Sequence, residues 1–557
     1  MSIERSKIQW NGWGWAAHRE QAPISEAVWY WLAAELGMPS LLATPARPLD
    51  ELTIAPSRLS ATERAQFTQI LGEERVRDNQ YERAFHARGR SYHDLLHLRA
   101  GDLSTAPDAV LYPRGTGEVL SVLSYAADNS IAVVPFGGGT SVVGGVTGDA
   151  SGFKAVISLD VTGMDQLLNV DTISRVASAD AGIYGPALDK ALRAHNVMLG
   201  HYPQSFEFST LGGWIAHRGA GQQSSRYGNA EEWLVSAKLA TPRGLLTTED
   251  FPASSAGPRL TDLVLGSEGI FGVITEASFR IRPVPAKSEY VGFLFRDFAS
   301  GTAAIRQAVQ GGLEVAMLRL SDADETRFYR AYGAAGKKAT LGSRIADAVL
   351  RVRSFGETSC AMIAGFEGDA DDVTRAQRCF SEIAKEFGAM ALGASQGSRW
   401  HQGRFHGPYS RNPMMDRGLG VDTLETATSW SKIDALYAAV KKALEDSIRE
   451  TVPRPGAHGI VTCHISHSYP DGASLYFTYI FPRALDGEIA QWQKIKNAAS
   501  DAIVAHGGTI SHHHGVGEDH LLWIEKEKGA LGIEVLRAIK TTLDPKGILN
   551  PGKLIPN

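Results

Sequence analysis

An α+β architecture of several domains is predicted for this chain, and three observations predict it. Its 557 residues exceed what a single hydrophobic core organises. Hydrophobic residues at 43% and charged residues at 21% describe an ordinary globular protein rather than a disordered or fibrous one. From about residue 106 to about residue 490, short apolar strands alternate with amphipathic helices, bounded by glycine-rich loops.

Residues 1–105 read as a helical N-terminal arm. "ISEAVWYWLAAELGM" has helical spacing of apolar residues, and "SATERAQFTQILGEERV" opens with a serine cap followed three positions later by glutamate. The arm's tryptophans are expected to pack it onto the body. Residues 106–285 open strand, helix, strand: "AVLYP", then "TGEVLSVLSYAADN" with Thr116 as cap, then "IAVVPF". Further strands are expected at "AVISLD" and "SRVASADAG", with a helix at "YGPALDKALRAHN". Residues 286–490 form a second α/β unit, with a helix at "DADDVTRAQRCFSEIAKEFG" and strands at "SCAMIAGFEG" and "ASLYFTYIF". Residues 491–557 run helix, histidine loop, helix and a Pro/Gly-rich tail.

Composition excludes several roles. A net charge of −5 offers no global attraction to nucleic acid or anionic lipid. No apolar run is long enough for a membrane-spanning helix. "MSIERSKIQWNGWGW" lacks the layout of a signal peptide, and "LIPN" carries no peroxisomal address. Cys360, Cys379 and Cys463 are too few and too scattered for a disulfide framework or a cysteine-based metal site, so a reducing, cytoplasmic setting is expected. "GSRIADAVLRVRSF" (342–355) reads as a solvated helix, with peripheral membrane contact as the alternative.

Three loops carry the first chemical signal. "VVPFGGGTSVVGGV" (133–146) follows a buried strand, and its successive glycines let backbone N–H groups cradle an anion. It is neither a Rossmann G-x-G-x-x-G nor a P-loop. "SFEFSTLGGWIAHRGAGQQSSRYGN" (205–229) and "LGSEGIFGVITEASFRIRP" (265–283) add two more small-residue patches. One such loop is compatible with a tight turn. Three in one domain point to one extended ligand across several strand ends, and a flavin dinucleotide has the length and the pyrophosphate for it. The second signal is "GGTISHHHGVG" (507–517), three consecutive histidines between glycines. If the segment is extended, His512 and His514 point one way and His513 the other.

"PFGGGTS", "SFEFSTLGGW", "GSEGIFGVITEASFRIRPVP" and "LDPKGILNPGKL" resemble the FAD-binding domain of the vanillyl-alcohol-oxidase superfamily (PCMH-type). "WNGWG" (10–14), "GHYPQSFEFSTLGGW" (200–214) and "GGTISHHHGVG" narrow the likeness to the alkyldihydroxyacetonephosphate synthase branch. The resemblance spans nearly the whole chain. It implies a two-part FAD-binding domain, an α/β cap domain for substrate and a C-terminal segment whose histidine loop closes the active site. The implied cofactor is non-covalent FAD, because "PFGGGTS" lacks the histidine through which related flavins are often attached. The implied contacts are Pro135, Gly137, Gly138, Gly139, Thr140, Ser141, Ser205, Ser209, Thr210, Gly213, Glu268, Gly269, Val273 and Ile274. The implied reaction is redox-neutral: acyl-dihydroxyacetone phosphate exchanges its fatty acid for a fatty alcohol, with the ketone carbon held on flavin N5 in between. A homodimer is expected, acting on a lipid substrate and not on nucleic acid.

That chemistry asks for a base, a polarised carbonyl and a phosphate anchor. The resemblance places Tyr476 as the base. In its strand Leu475, Phe477, Tyr479 and Phe481 share one face, while Tyr476, Thr478 and Ile480 share the other. His513 and His514 are assigned to proton shuttling and carbonyl polarisation, with His512 and His201 as further catalytic candidates. Arg411 is the phosphate anchor, because a guanidinium fork suits a phosphate dianion, and Arg319 is secondary. The sequence departs from the branch at His464 and His467, where arginine and glutamine are expected in the animal enzymes. Related flavin dehydrogenases of 2-hydroxy acids hold a divalent metal with histidines in this region. An oxidase or dehydrogenase of a 2-hydroxy acid or aromatic alcohol, with His464, His467 and His513 or His514 around a metal, is therefore the alternative. The main reading carries no metal.

Overall fold

In the computed structural model, which describes residues 5–18, 24–336, 350, 352–353 and 355–556, the first glycine loop leaves the end of a buried strand, Ile131–Phe136. That strand and Ala109–Leu111 both run parallel to Ala155–Asp160, which lies between them. Helix Thr116–Asp128 is the crossover from Ala109–Leu111 to Ile131–Phe136, burying Val119, Val122, Leu123 and Ala126 against the sheet. Gly115 rather than Thr116 occupies the cap position of this helix. The Thr116 hydroxyl, one residue inside, donates to Thr275 Oγ1 at 2.9 Å instead. The fourth strand, Val76–Arg77, is antiparallel and comes from the segment read as a helical arm. The rest of that segment is helical as expected, at Glu26–Glu35, Ala61–Leu71, Gln80–Phe85 and Tyr92–Ala100. Ser60 and Glu63 form the expected capping box.

A second, antiparallel sheet follows in the order Leu167–Asp171, Val176–Asp180, Val273–Arg280, Leu234–Thr241 and Gly244–Thr247. Its Ala240 and Val273 share a core with the first sheet, so the 265–272 loop reaches the 137–141 loop. A Cβ on Gly269 would stand 2.9 Å from Pro135. The C-terminal tail fastens the arrangement. Val133 N–H donates to the Ile548 carbonyl and Asn550 N–H to the Val133 carbonyl, each at 2.8 Å. The Asn550 amide donates to the carbonyls of Gly145 (3.0 Å) and Glu268 (2.7 Å), tying two glycine loops together.

Residues 287–482 carry a seven-stranded sheet, in the order Met390–Gly393, Lys287–Phe295, Cys360–Gly368, Met317–Ser321, Ile460–Ser468, Gly472–Pro482 and Leu419–Ser429. Its pairing is antiparallel throughout. Leu475, Phe477, Tyr479 and Phe481 are fully buried, in one core with Ile433, Leu436, Val440 and Leu444 of helix Ile433–Thr451. Tyr476 and Thr478 of the same strand are only half-buried, as the alternation predicts. Trp10 and Trp13 lie in that large core too, which is the packing role expected of the arm. Among the described residues, no helix is long and apolar enough to cross a membrane. The 342–355 stretch, apart from residues 350, 352–353 and 355, lies outside the described residues.

Candidate active site

One cavity of about 210 Å³, open to solvent, runs from the first glycine loop to the face of the seven-stranded sheet. At one end it is lined by all fourteen positions expected to touch a cofactor, from Pro135 and Gly137 through Ser205 and Thr210 to Gly269 and Ile274. Backbones crowd here because side chains are absent: a Cβ on Gly138 would sit 1.8 Å from the Phe208 carbonyl oxygen. Among the described residues, the N–H groups of Gly138, Gly139, Thr140 and Ser141 find no acceptor. Donors turned towards a cavity without a protein partner form an anion nest. These residues fit a flavin dinucleotide. One expected contact has a different occupation. Glu268 is buried, and its carboxylate accepts from the N–H groups of Val516 and Gly517 at 2.6 Å each, anchoring the histidine loop to the glycine loops.

At the other end the cavity is lined by Trp13, Arg411, Thr423, Tyr476, His513 and His514. The Tyr476 ring stacks on His464 (5.0 Å between centroids, 17° between planes) and meets His514 edge-on at 5.6 Å. Burial raises the Tyr476 phenol above its ordinary value, while a hydrogen bond with Thr423 and the charge of Arg411 pull it back down. Arg411 is buried and spends one donor on the Arg90 carbonyl at 3.2 Å. Its neighbour Asn412 holds the "WNGWG" stretch: the amide donates to the Trp13 carbonyl at 2.7 Å, and its oxygen accepts from Trp13 N–H at 3.0 Å.

The histidine segment is not extended. It curls around one carboxylate that sequence reasoning missed, Glu425, which accepts from the N–H groups of His512 (2.9 Å), His513 (2.7 Å) and His514 (2.8 Å) and from Ser511 Oγ (3.1 Å). Glu425 pairs directly across from Tyr476 in the sheet, and it is buried. His513 and His514 therefore reach the cavity together, whereas strict alternation would have separated them. His512 turns away: its Nε2 lies 2.6 Å from the Tyr469 hydroxyl and its Nδ1 2.9 Å from His513 Nδ1. Burial lowers the His512 pKa to about 4, so this imidazole is neutral near pH 7.

Besides His512, two further candidates stand outside the cavity lining. His201 is buried behind Gly219, its Nδ1 accepting from the Trp233 indole at 3.2 Å, and burial drops its pKa to about 3. Its Nε2 is buried without a partner among the described residues. Arg319 is not a cavity residue. Its guanidinium is spent on Glu325 (2.9 Å), Ser321 (3.1 Å) and His464 (3.0 Å). The metal arrangement of the alternative reading does not assemble either. His464 is held by Glu325, while a register shift after Ile465 sends His467 towards His512 and His513. Both His467 nitrogens are already engaged, with the Gly221 carbonyl and with Ser466.

Fold and cavity together define a flavin-dependent enzyme of the vanillyl-alcohol-oxidase type. Residues 107–249 match the family described as FAD binding domain, and residues 284–554 that described as FAD linked oxidases, C-terminal domain. The chain is 33% identical over 516 residues to the alkyldihydroxyacetonephosphate synthase of Dictyostelium discoideum, covering 92% of this chain and 84% of that one. It is 30% identical to the enzyme of Caenorhabditis elegans, covering 99% and 96%. A solved alkyldihydroxyacetonephosphate synthase structure superposes with a TM-score of 0.84 at 30% identity, over 99% of this chain and 100% of that one. The 4-ethylphenol oxidase of Gulosibacter chungangensis shares the fold at 15% identity, with a TM-score of 0.67 over 90% of this chain and 98% of that one. The chain belongs to the alkyldihydroxyacetonephosphate synthase family of FAD enzymes.

The FAD of this protein is expected to leave with acid. His217, His513 and His514 are the histidines lining the cavity, and the 135–141 loop contributes none. Acid precipitation should leave the yellow colour in the supernatant. Colour in the pellet would show a histidyl linkage.

Proposed function

We propose that this protein exchanges the acyl group of an acyl-dihydroxyacetone phosphate for a fatty alcohol, giving the ether-linked product. The observation that supports this most is one cavity with an anion nest at one end and Tyr476, Arg411, His513 and His514 at the other. FAD, when bound, supplies the electron-poor centre beside which the substitution takes place. Tyr476 is the base that removes the proton from the carbon next to the ketone. His513 and His514 hold the developing charge on the carbonyl oxygen and pass protons on, and Arg411 binds the phosphate. His512 supports catalysis by ordering His513, whose Nδ1 lies 2.9 Å from its own; His201 acts from behind Gly219, packed on Trp214 and Trp233; Arg319 acts through His464, on which Tyr476 stacks. The protein is proposed to work in the cytoplasm as a homodimer, touching a membrane peripherally to collect its lipid.

Mass spectrometry of the flavin-loaded protein with acyl-dihydroxyacetone phosphate and hexadecanol tests the reaction. Ether product and free fatty acid should form in equal amounts, and the flavin spectrum should be the same before and after complete turnover without oxygen. Flavin bleached by a 2-hydroxy acid or an aromatic alcohol, with no ether product, would overturn the proposal. Arg411→Lys should weaken phosphate-substrate binding by about 1–3 kcal/mol, since a point charge replaces a fork. Unchanged KM in a folded, yellow variant would remove Arg411 from the site.

A further inference from the structure

The exchange reaction leaves one proton over at neutral pH. The alcohol O–H bond and the bond from carbon to the acyloxy oxygen break, the ether C–O bond forms, and the fatty acid departs as a carboxylate. A lipid and a flavin bound in the cavity displace the water that would otherwise carry that proton off. From His513, which lines the cavity, a chain of groups leads away from it. His513 Nδ1 lies 2.9 Å from His512 Nδ1, and His512 Nε2 lies 2.6 Å from the Tyr469 hydroxyl. Both are hydrogen-bond distances. Tyr469 opens the turn between strands Ile460–Ser468 and Gly472–Pro482. It is half-buried, and Pro470 and Asp471 beside it are exposed. The Asn229 amide donates to its hydroxyl at 3.0 Å, and its backbone carbonyl accepts from the Trp430 indole at 3.0 Å.

Each link can take up one proton and release another. An imidazole accepts on one nitrogen and gives from the other, and a hydroxyl does both on one oxygen. The Glu425 carboxylate, 3.4 Å from His513 Nδ1 and 3.6 Å from His512 Nδ1, favours a proton between those two nitrogens. Burial keeps His512 neutral, and burial raises the Tyr469 phenol above its ordinary value, so neither group traps a charge. His467 lies against both rings, 5.0 Å from His512 and 5.3 Å from His513 between centroids, yet offers no exit. Its Nε2 donates to the Gly221 carbonyl at 3.0 Å, and its Nδ1 meets Ser466, whose other partner is the fully buried Ser474.

We propose that His513, His512 and Tyr469 form a proton wire from the cavity to the surface, with Tyr469 as its outer relay. This rests on the acyl-for-alkyl exchange proposed above. A proton taken up on His513 Nε2 sends the one between the two rings to His512 Nδ1. The His512 Nε2 proton passes to the Tyr469 oxygen, and the hydroxyl proton goes to water. Only N–H and O–H bonds change, and one proton enters as one leaves. Tyr469 does not line the cavity, so it serves the reaction through His512 as a positioning residue.

Tyr469→Phe tests the wire, because it removes the hydroxyl and keeps the ring beside His512. In dilute buffer, formation of ether product by the flavin-loaded variant should fall about 10-fold, short of the roughly 10²–10⁴-fold of a base that touches substrate. KM for acyl-dihydroxyacetone phosphate should stay the same. Imidazole at high concentration, carrying the proton in place of the hydroxyl, should restore most of the lost turnover and leave the parent unaffected. His512→Gln breaks the wire one link further in, should show the same rescue, and serves if the first variant fails to fold. Turnover of Tyr469→Phe equal to that of the parent overturns the wire. A loss that imidazole does not restore, or that comes with a raised KM, also overturns it and leaves Tyr469 as a support of the histidine loop. No ether product from the parent overturns the exchange reaction and the wire together, whereas either of the other failures beside an active parent overturns the wire alone.

Discussion

Tyr476→Phe is expected to lower turnover by at least about 10²-fold while fold and flavin content stay intact, the usual contribution of a positioned general base being about 10²–10⁴-fold. The strand explains why the fold survives. The core face of Gly472–Pro482 is carried by Leu475, Phe477, Tyr479 and Phe481, none of which changes, and phenylalanine keeps the ring that stacks on His464. Only the hydroxyl is lost, from a cavity that also presents Arg411 and His513. Because burial raises the Tyr476 phenol, its service as a base depends on neighbours that accept its proton or stabilise its anion. His513→Ala should therefore cost a comparable factor, and the double variant should lose far less than the product of the two. Steady-state assays with flavin occupancy measured on the same samples check both. If the two single variants keep activity within a few-fold of the parent, the site is elsewhere.

Much of this site was legible in the sequence, for reasons that can be traced. Glycine at 137–139 and at 269 has no side chain because the Phe208 carbonyl and the side chains of Thr210, Phe136 and Pro135 fill the space a Cβ would need, and such a requirement is written directly into residue identity. The alternation around Tyr476 was legible because a strand buried on one face repeats every two residues. What escaped was long-range. Glu425 looks like one more acidic residue in "VDTLETATS", and nothing local shows that a chain segment about 88 residues later folds its N–H groups onto it. The same carboxylate overrode the extended conformation assumed for 512–514, and so decided which imidazoles share a cavity. Arg319 was misplaced for a related reason: Glu325 and His464, distant or out of phase in sequence, claim its guanidinium first. Val76–Arg77 is only two residues long, too short to give a periodicity, so its place on the FAD-domain sheet did not show in the arm.

Glu425→Gln is expected to be nearly as damaging to turnover as the loss of Tyr476, through a different cause. The carboxylate satisfies three consecutive backbone N–H groups and the Ser511 hydroxyl from inside the protein. An amide of the same shape replaces one acceptor oxygen by a donor, and that donor faces N–H groups. Charge-assisted bonds contribute about 1.5–3 kcal/mol each, so roughly 3 kcal/mol of loop stability should go. That corresponds to about 10²-fold faster hydrogen exchange at the His512, His513 and His514 amides, with exchange in the FAD-domain sheets unchanged. Turnover should fall because His513 and His514 no longer sit together, while flavin stays bound. The pH dependence follows the same carboxylate. Burial opposes its ionisation, but His513, His514 and the hydrogen bonds around it hold its pKa well below the ordinary value. A depressed folded-state pKa contributes stability that is complete above the unfolded value, about 4.3, and is lost as pH falls through the folded one. The parent loop should therefore stay protected from exchange at pH 5 and open only in stronger acid, whereas the glutamine variant should be equally open at both. Equal protection of parent and variant at pH 7 would show that Glu425 does not hold the histidine loop.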